Sequence, residues 1–127
     1  MRARRVEELF VYRTAYEVAM DLFACSTGWP REEQRALTDQ IRRSSRAVCA
    51  NLAEAWAKRR YARHFVSKLT DAHAEAQETL TWLSFAGDCG YLPVPEADAL
   101  AGRYDAVVAG LIHMARHASD WDPTCRR

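Results

Sequence analysis

The chain has 127 residues, 49% of them hydrophobic, which suits one compact domain with a real core and excludes two domains of ordinary size. A formal net charge of +1 excludes a global electrostatic field of the kind that announces a strongly basic nucleic-acid binder. The charge is unevenly placed: residues 31–68 carry ten Lys/Arg against four Asp/Glu, and residues 69–127 carry four against nine.

Four stretches show helical periodicity. The first is predicted over about Glu7–Cys25, with Val11, Ala15, Val18, Ala19 and Leu22 recurring three or four apart. "STGWP" ends it, Gly28 acting as a breaker and Pro30 opening the next segment. The second is predicted over about Glu32–Ala57, with a core stripe of Leu37, Ile41, Ser45, Val48, Leu52 and Ala55. Only "KRRY" separates it from the third, predicted over about Tyr61–Asp88 with Phe65, Leu69, Ala72, Ala76, Leu80 and Leu83 inward. "CGYLPVP" breaks the chain again. The fourth is predicted over about Glu96–His117, with Leu100, Tyr104, Val107, Leu111 and Met114. A short polar tail, residues 120–127, follows a single domain at 1–119 and is expected to fray. Long amphipathic helices on short connections imply an all-α fold, an antiparallel up-and-down four-helix bundle.

Cys25, Cys49, Cys89 and Cys125 are far apart with no CxxC, and no leader pattern stands at the N-terminus, so reduced thiols in a cytoplasmic protein are expected. No apolar run approaches ~18 residues, so no membrane span is expected.

The second helix carries the most informative pattern. At about 100° per residue, Arg35, Arg42, Arg46 and Arg60 fall on one flank of the core stripe. Cys49 and Trp56 lie between that flank and the core. Lys58, Arg59 and Arg63 continue the cations into the junction. Gln40, Ser44, Ala47 and Asn51 line the opposite flank, whose small side chains admit a close helix and whose amides can hydrogen-bond to it, though such a flank could equally sit in water. Asp39 and Arg43 stand four apart opposite the core, in the favourable acid-before-base order. In the third helix Asp71, Glu75, Glu78 and Trp82 share a face away from the core, and Trp is enriched at interfaces. Three readings of the arginines stand side by side: a solvated charged face, pairing with a neighbour's acids, and a strip that tracks phosphates.

At these residues the sequence resembles the bacterial four-helix-bundle family encoded in intervening sequences of large-subunit ribosomal RNA genes. That family is related to the accessory variability-determinant protein of diversity-generating retroelements. The matching pieces are "LFVYRTAYEVAMDLF" with "WP" after it, "LTDQIRRSSRAVCANLAEA", "KRRYARHFVSKL" and "GYL". The run from Leu37 to Glu54 is the most specific of them. Ala55 stands where the family usually has Gly, Cys49 where Pro is common, and "DAHAEAQE" where it has a Ser-rich stretch. The resemblance implies a homo-oligomer, typically a ring of five bundles, with no known enzymatic activity. For the retroelement relative it implies a basic surface that binds nucleic acid and a reverse transcriptase.

Catalytic chemistry has little to stand on. His113 and His117 are four apart, a zinc-compatible spacing, but nothing at a diagnostic spacing completes the set. Glu54 has no ExxH partner for a di-iron site. No phosphate loop, nucleophile elbow or triad is present. The expectation is therefore a non-enzymatic oligomer without cofactor or metal. It binds RNA or DNA, or a nucleic-acid-handling protein such as a reverse transcriptase, through Arg35, Arg42, Arg43, Arg46, Lys58, Arg59, Arg60 and Arg63. Its subunit interface is expected at Gln40, Ser44, Asn51, Glu54, Asp71, Glu75, Glu78 and Trp82. The rival expectation is a structural module in which Arg42, Arg43 and Arg46 pair with Asp71, Glu75 and Glu78 of a neighbouring subunit.

Overall fold

The structure, a computed structural model, describes residues 3–125, and these are all-helical with no strand. Four long helices dominate: α1 (Phe10–Ser26), α2 (Leu37–Ala57), α3 (Ala62–Asp88) and α4 (Val94–Arg116). A one-turn helix, α5 (Ala118–Trp121), follows, and 3₁₀ turns precede α1 at Val6–Glu8 and α2 at Arg31–Glu33. No helix among the described residues is long and apolar enough to cross a membrane.

The apolar stripes converge on one core. Ala15, Val18 and Leu22 of α1, Ile41, Val48 and Leu52 of α2, Phe65 and Leu69 of α3, and Tyr104, Val107 and Leu111 of α4 are almost wholly buried together. Leu80 and Leu100, expected inward, sit at the core edge, partly buried. Ser44 meets Thr79 and Glu54 meets Lys68 across α2 and α3, while Val11 approaches Gly110 and Asp21 meets Arg103 across α1 and α4.

The helix ends have local causes. α2 begins at Leu37, later than the periodicity predicts, because Ala36 is non-helical at φ −126° and ψ −107°. The preceding turn is held from outside: the Tyr91 hydroxyl donates to the Glu33 carboxylate at 2.7 Å, and the buried Trp29 ring packs on Tyr91. α3 ends in a Schellman turn. Gly90 takes φ +79°, its N–H donates to Gly87, and the Tyr91 N–H reaches back to the Ala86 carbonyl at 2.9 Å. α4 starts two residues earlier than predicted, since Pro95 falls in the first turn, where its missing N–H costs nothing. The stretch from 120 onward, expected to fray as a polar tail, begins inside α5. Trp121 is only partly exposed and packs edge-on against Trp56 at 6.1 Å, so apolar contact outweighs the polar composition around it. The last two residues of that predicted tail, Arg126 and Arg127, lie outside the described residues.

Candidate nucleic-acid interface

The arginines of α2 do not form one uniform strip. Arg42 turns onto the end of α1. Its Nε–H donates to Ser26 Oγ at 2.8 Å, its terminal amine donates to the Phe23 carbonyl at 3.2 Å, and its guanidinium lies 4.6 Å from the Phe23 ring centroid. A cation there satisfies a carbonyl that the helix terminus leaves open and opposes the negative end of the helix dipole. Arg46 lies near the same ring at 5.7 Å but remains exposed, as does Arg35.

Arg43 turns the other way, onto α3. It pairs with Glu75 at 3.4 Å and with Glu78 at closer range, not with Asp39. Glu78 also accepts a long hydrogen bond from the Trp82 indole at 3.4 Å. Hydrogen bonding by Arg43 holds the Glu78 carboxyl below its ordinary range. The acids expected to meet Arg43 from a neighbouring subunit, Glu75 and Glu78, meet it here within one chain. The reason is the small flank of α2. Ser44 is fully buried and accepts a hydrogen bond from the Thr79 hydroxyl at 2.8 Å, so the close-packed helix predicted for that flank is the chain's own α3. Ser44 is thereby withdrawn from the expected subunit interface. Gln40 and Asn51 are partly buried at the margins of the same contact, and the Asn51 amide donates to the Ala47 carbonyl at 3.0 Å. Glu54 and Asp71 both lie beside Lys68, at 2.8 and 3.7 Å.

The turn between α2 and α3 is different. Lys58, Arg59, Arg60 and Arg63 fall within six residues, and none forms an ion pair among the described residues. Arg59 is fixed: it donates to the Trp56 carbonyl at 2.8 Å and lies 4.1 Å from the Trp56 ring centroid. Arg60 sits 5.7 Å from the ring of Tyr61, which is 58% exposed. His64 meets that ring edge-on at 6.2 Å. Asp122 reaches the vicinity. Thr124 hydrogen bonds hold its carboxyl low, and the charges of Arg60 and Arg59 lower it further. α3 also begins here with no side-chain cap, so its dipole adds positive potential. Beside the turn lies a groove of about 390 Å³, with Phe10, Trp56, Arg59 and Trp121 in its walls.

A family model, that of the 23S rRNA-intervening sequence proteins, matches residues 7–113. The chain belongs to this family. The matched span contains every residue proposed from sequence for binding or assembly and stops before α5. Among solved structures, the chain is similar to a protein of unknown function from the S23 ribosomal protein family of Bacteroides thetaiotaomicron. That likeness has a TM-score of 0.71 at 23% identity and covers 84% of this chain and 98% of the other. At that identity it shows the fold. A search of curated proteins finds no match.

For this member of the family, sequence reasoning missed two uses of arginine. Arg42 is a cap on α1 and Arg59 a cover on Trp56. Arg59 had a readable signal, a Trp three residues earlier at the end of the same helical pattern. Arg42 had none, since its partner depends on how α1 and α2 dock. His113 and His117 stack at 4.3 Å, and among the described residues no group of three or more His, Cys, Asp or Glu is placed to hold a metal. Burial pushes the Cys49 thiol up to about 11, so it stays protonated and weakly nucleophilic at neutral pH.

Proposed function

We propose that this protein is a non-enzymatic, antiparallel helical bundle that assembles with copies of itself and binds RNA through the cationic turn at 58–63. The observation that carries the reading is the concentration of Lys58, Arg59, Arg60 and Arg63 at one end of the bundle without ion-pair partners among the described residues. Asp122 and Glu54 feel these charges without closing an ion pair on them, and cations outside ion pairs gain most by releasing counterions from a phosphate backbone. Arg46 on α2 and Arg35 before it are also exposed but stand apart from the turn, whereas Arg42 and Arg43 are occupied within the chain. The family description names an rRNA intervening sequence, which favours RNA over DNA. Filter binding at low and moderate salt tests it: the protein retains RNA at low salt and releases it steeply as salt rises. Absence of retention at low salt refutes the reading.

Self-assembly has separate support. α1 presents Phe10, Tyr16, Met20 and Phe23, which are 39–64% exposed although large and apolar. Exposed apolar surface of that kind marks an interface. A closed ring is the form proposed, with five subunits the number that the family resemblance implies.

A further inference from the structure

We propose that the cationic turn recognises RNA as a single strand, with a base stacked on Tyr61. The inference rests on the RNA-binding reading and names the form of RNA that it takes. A duplex is held by cations spread along its phosphate ridges, and α2 lacks a continuous row of them. Arg42 is tied to the end of α1 and Arg43 to the acids of α3, which leaves Arg46 and the turn separated by about 20 Å of helix. The free cations are instead concentrated at the turn, and there they stand among exposed rings.

Tyr61 is 58% exposed at the first position before α3, where core packing makes no demand for an aromatic side chain. Arg60 lies to one side of its ring, and the His64 imidazole meets it edge-on. These neighbours restrain the ring while more than half of the residue stays open to solvent. Lys58, Arg60 and Arg63 supply charge for the phosphates on either side of a stacked base. A base inside a duplex has both faces covered by its neighbours and cannot lie on a tyrosine. An unstacked base can, and stacking of this kind tolerates any sequence because every base has a π-face.

The test measures affinity for a labelled single-stranded RNA and for the same RNA annealed to its complement. Wild type, Tyr61→Ala and Tyr61→Phe are compared, with circular dichroism to confirm that each variant is folded. Wild type binds the single strand more tightly than the duplex. Tyr61→Ala loses about 5- to 150-fold on the single strand, the equivalent of roughly 1–3 kcal/mol of stacking, and little on the duplex. Tyr61→Phe keeps the ring and binds as wild type. Equal or tighter binding of the duplex overturns the inference, as does a Tyr61→Ala loss that is absent or the same for both RNAs, and in these cases the RNA-binding reading survives. Failure of wild type to bind either RNA at low salt overturns both.

Discussion

Arg42 and Arg43 are adjacent in sequence and serve different helices. Arg42→Ala removes two charged hydrogen bonds to the end of α1 and a contact with the Phe23 ring. The site is partly exposed, so a loss of about 1–2 kcal/mol is expected, read as a lower urea midpoint. RNA affinity stays within a few-fold of wild type, because this guanidinium is already engaged. Arg43→Ala costs less, about 0.2–1 kcal/mol, since its side chain is 47% exposed and solvent screens the pairs. Its effect depends on pH. Glu78 has a depressed carboxyl in the folded chain, so its contribution is present above the ordinary carboxylate range and lost as pH falls through the depressed value. Urea midpoints of wild type and Arg43→Ala therefore differ at neutral pH and converge in strong acid. A gap that is unchanged in acid contradicts the role given to Glu78. The helical wheel correctly put Arg42 and Arg43 outside the core stripe. It carried no information on which neighbouring helix each would reach, because that depends on docking between elements.

The core faces of the elements were legible because their apolar residues recur at the helical period and end at Gly and Pro signals. Val48, Leu69 and Val107 are inside as their spacing requires. The ends were less legible where tertiary contacts decide them. Ala36 is a good helix former, yet it lies outside α2 because the Trp29–Tyr91–Glu33 contacts fix the turn before it. The sequence left the flank at Ser44 open between a close helix and solvent, and Ser44 is buried against the chain's own α3. Composition does not distinguish a chain's own α3 from a neighbour's helix. Close approach also makes two glycines of α4 opposite in effect. A Cβ at Gly110 would overlap the Cγ2 methyl of Val11 on α1, whereas nothing lies within 4 Å of one at Gly102. Gly102→Ala gains up to about 1 kcal/mol of helix propensity. Gly110→Ala gains the same propensity but overpacks the α1–α4 contact at a cost of about 1–3 kcal/mol, so it is net destabilised. Thermal unfolding of the two variants checks the opposite signs. A Gly110→Ala protein more stable than wild type would show that α1 and α4 are not packed this closely.

At the scale of the whole molecule, the fold leaves a basic turn at one end and apolar side chains exposed along α1. The uneven charge was visible in the sequence, and Lys58, Arg59, Arg60 and Arg63 were among the cations it singled out, but the division of the arginines between packing and open surface was not. The cations at 42 and 43 serve packing between elements, and those at 58–63 remain outside ion pairs among the described residues. Self-assembly through α1 predicts a mass by light scattering that is a multiple of 14.5 kDa. Tyr16→Glu combined with Met20→Glu lowers it without loss of helix, and a monomer across micromolar concentrations contradicts the assembly. Repetition of the turn around a closed oligomer would let one RNA engage several copies, raising affinity without new contacts. The salt dependence of RNA binding reports the turn's contribution most directly. Affinity for a single-stranded RNA is measured across a range of salt for wild type and for Lys58→Gln/Arg60→Gln/Arg63→Gln. Each phosphate neutralised on a single strand contributes about 0.7 to the slope of log affinity against log salt, so loss of these cations should flatten it by about 2 for each turn engaged. An unchanged slope would mean that the RNA is held elsewhere on the molecule.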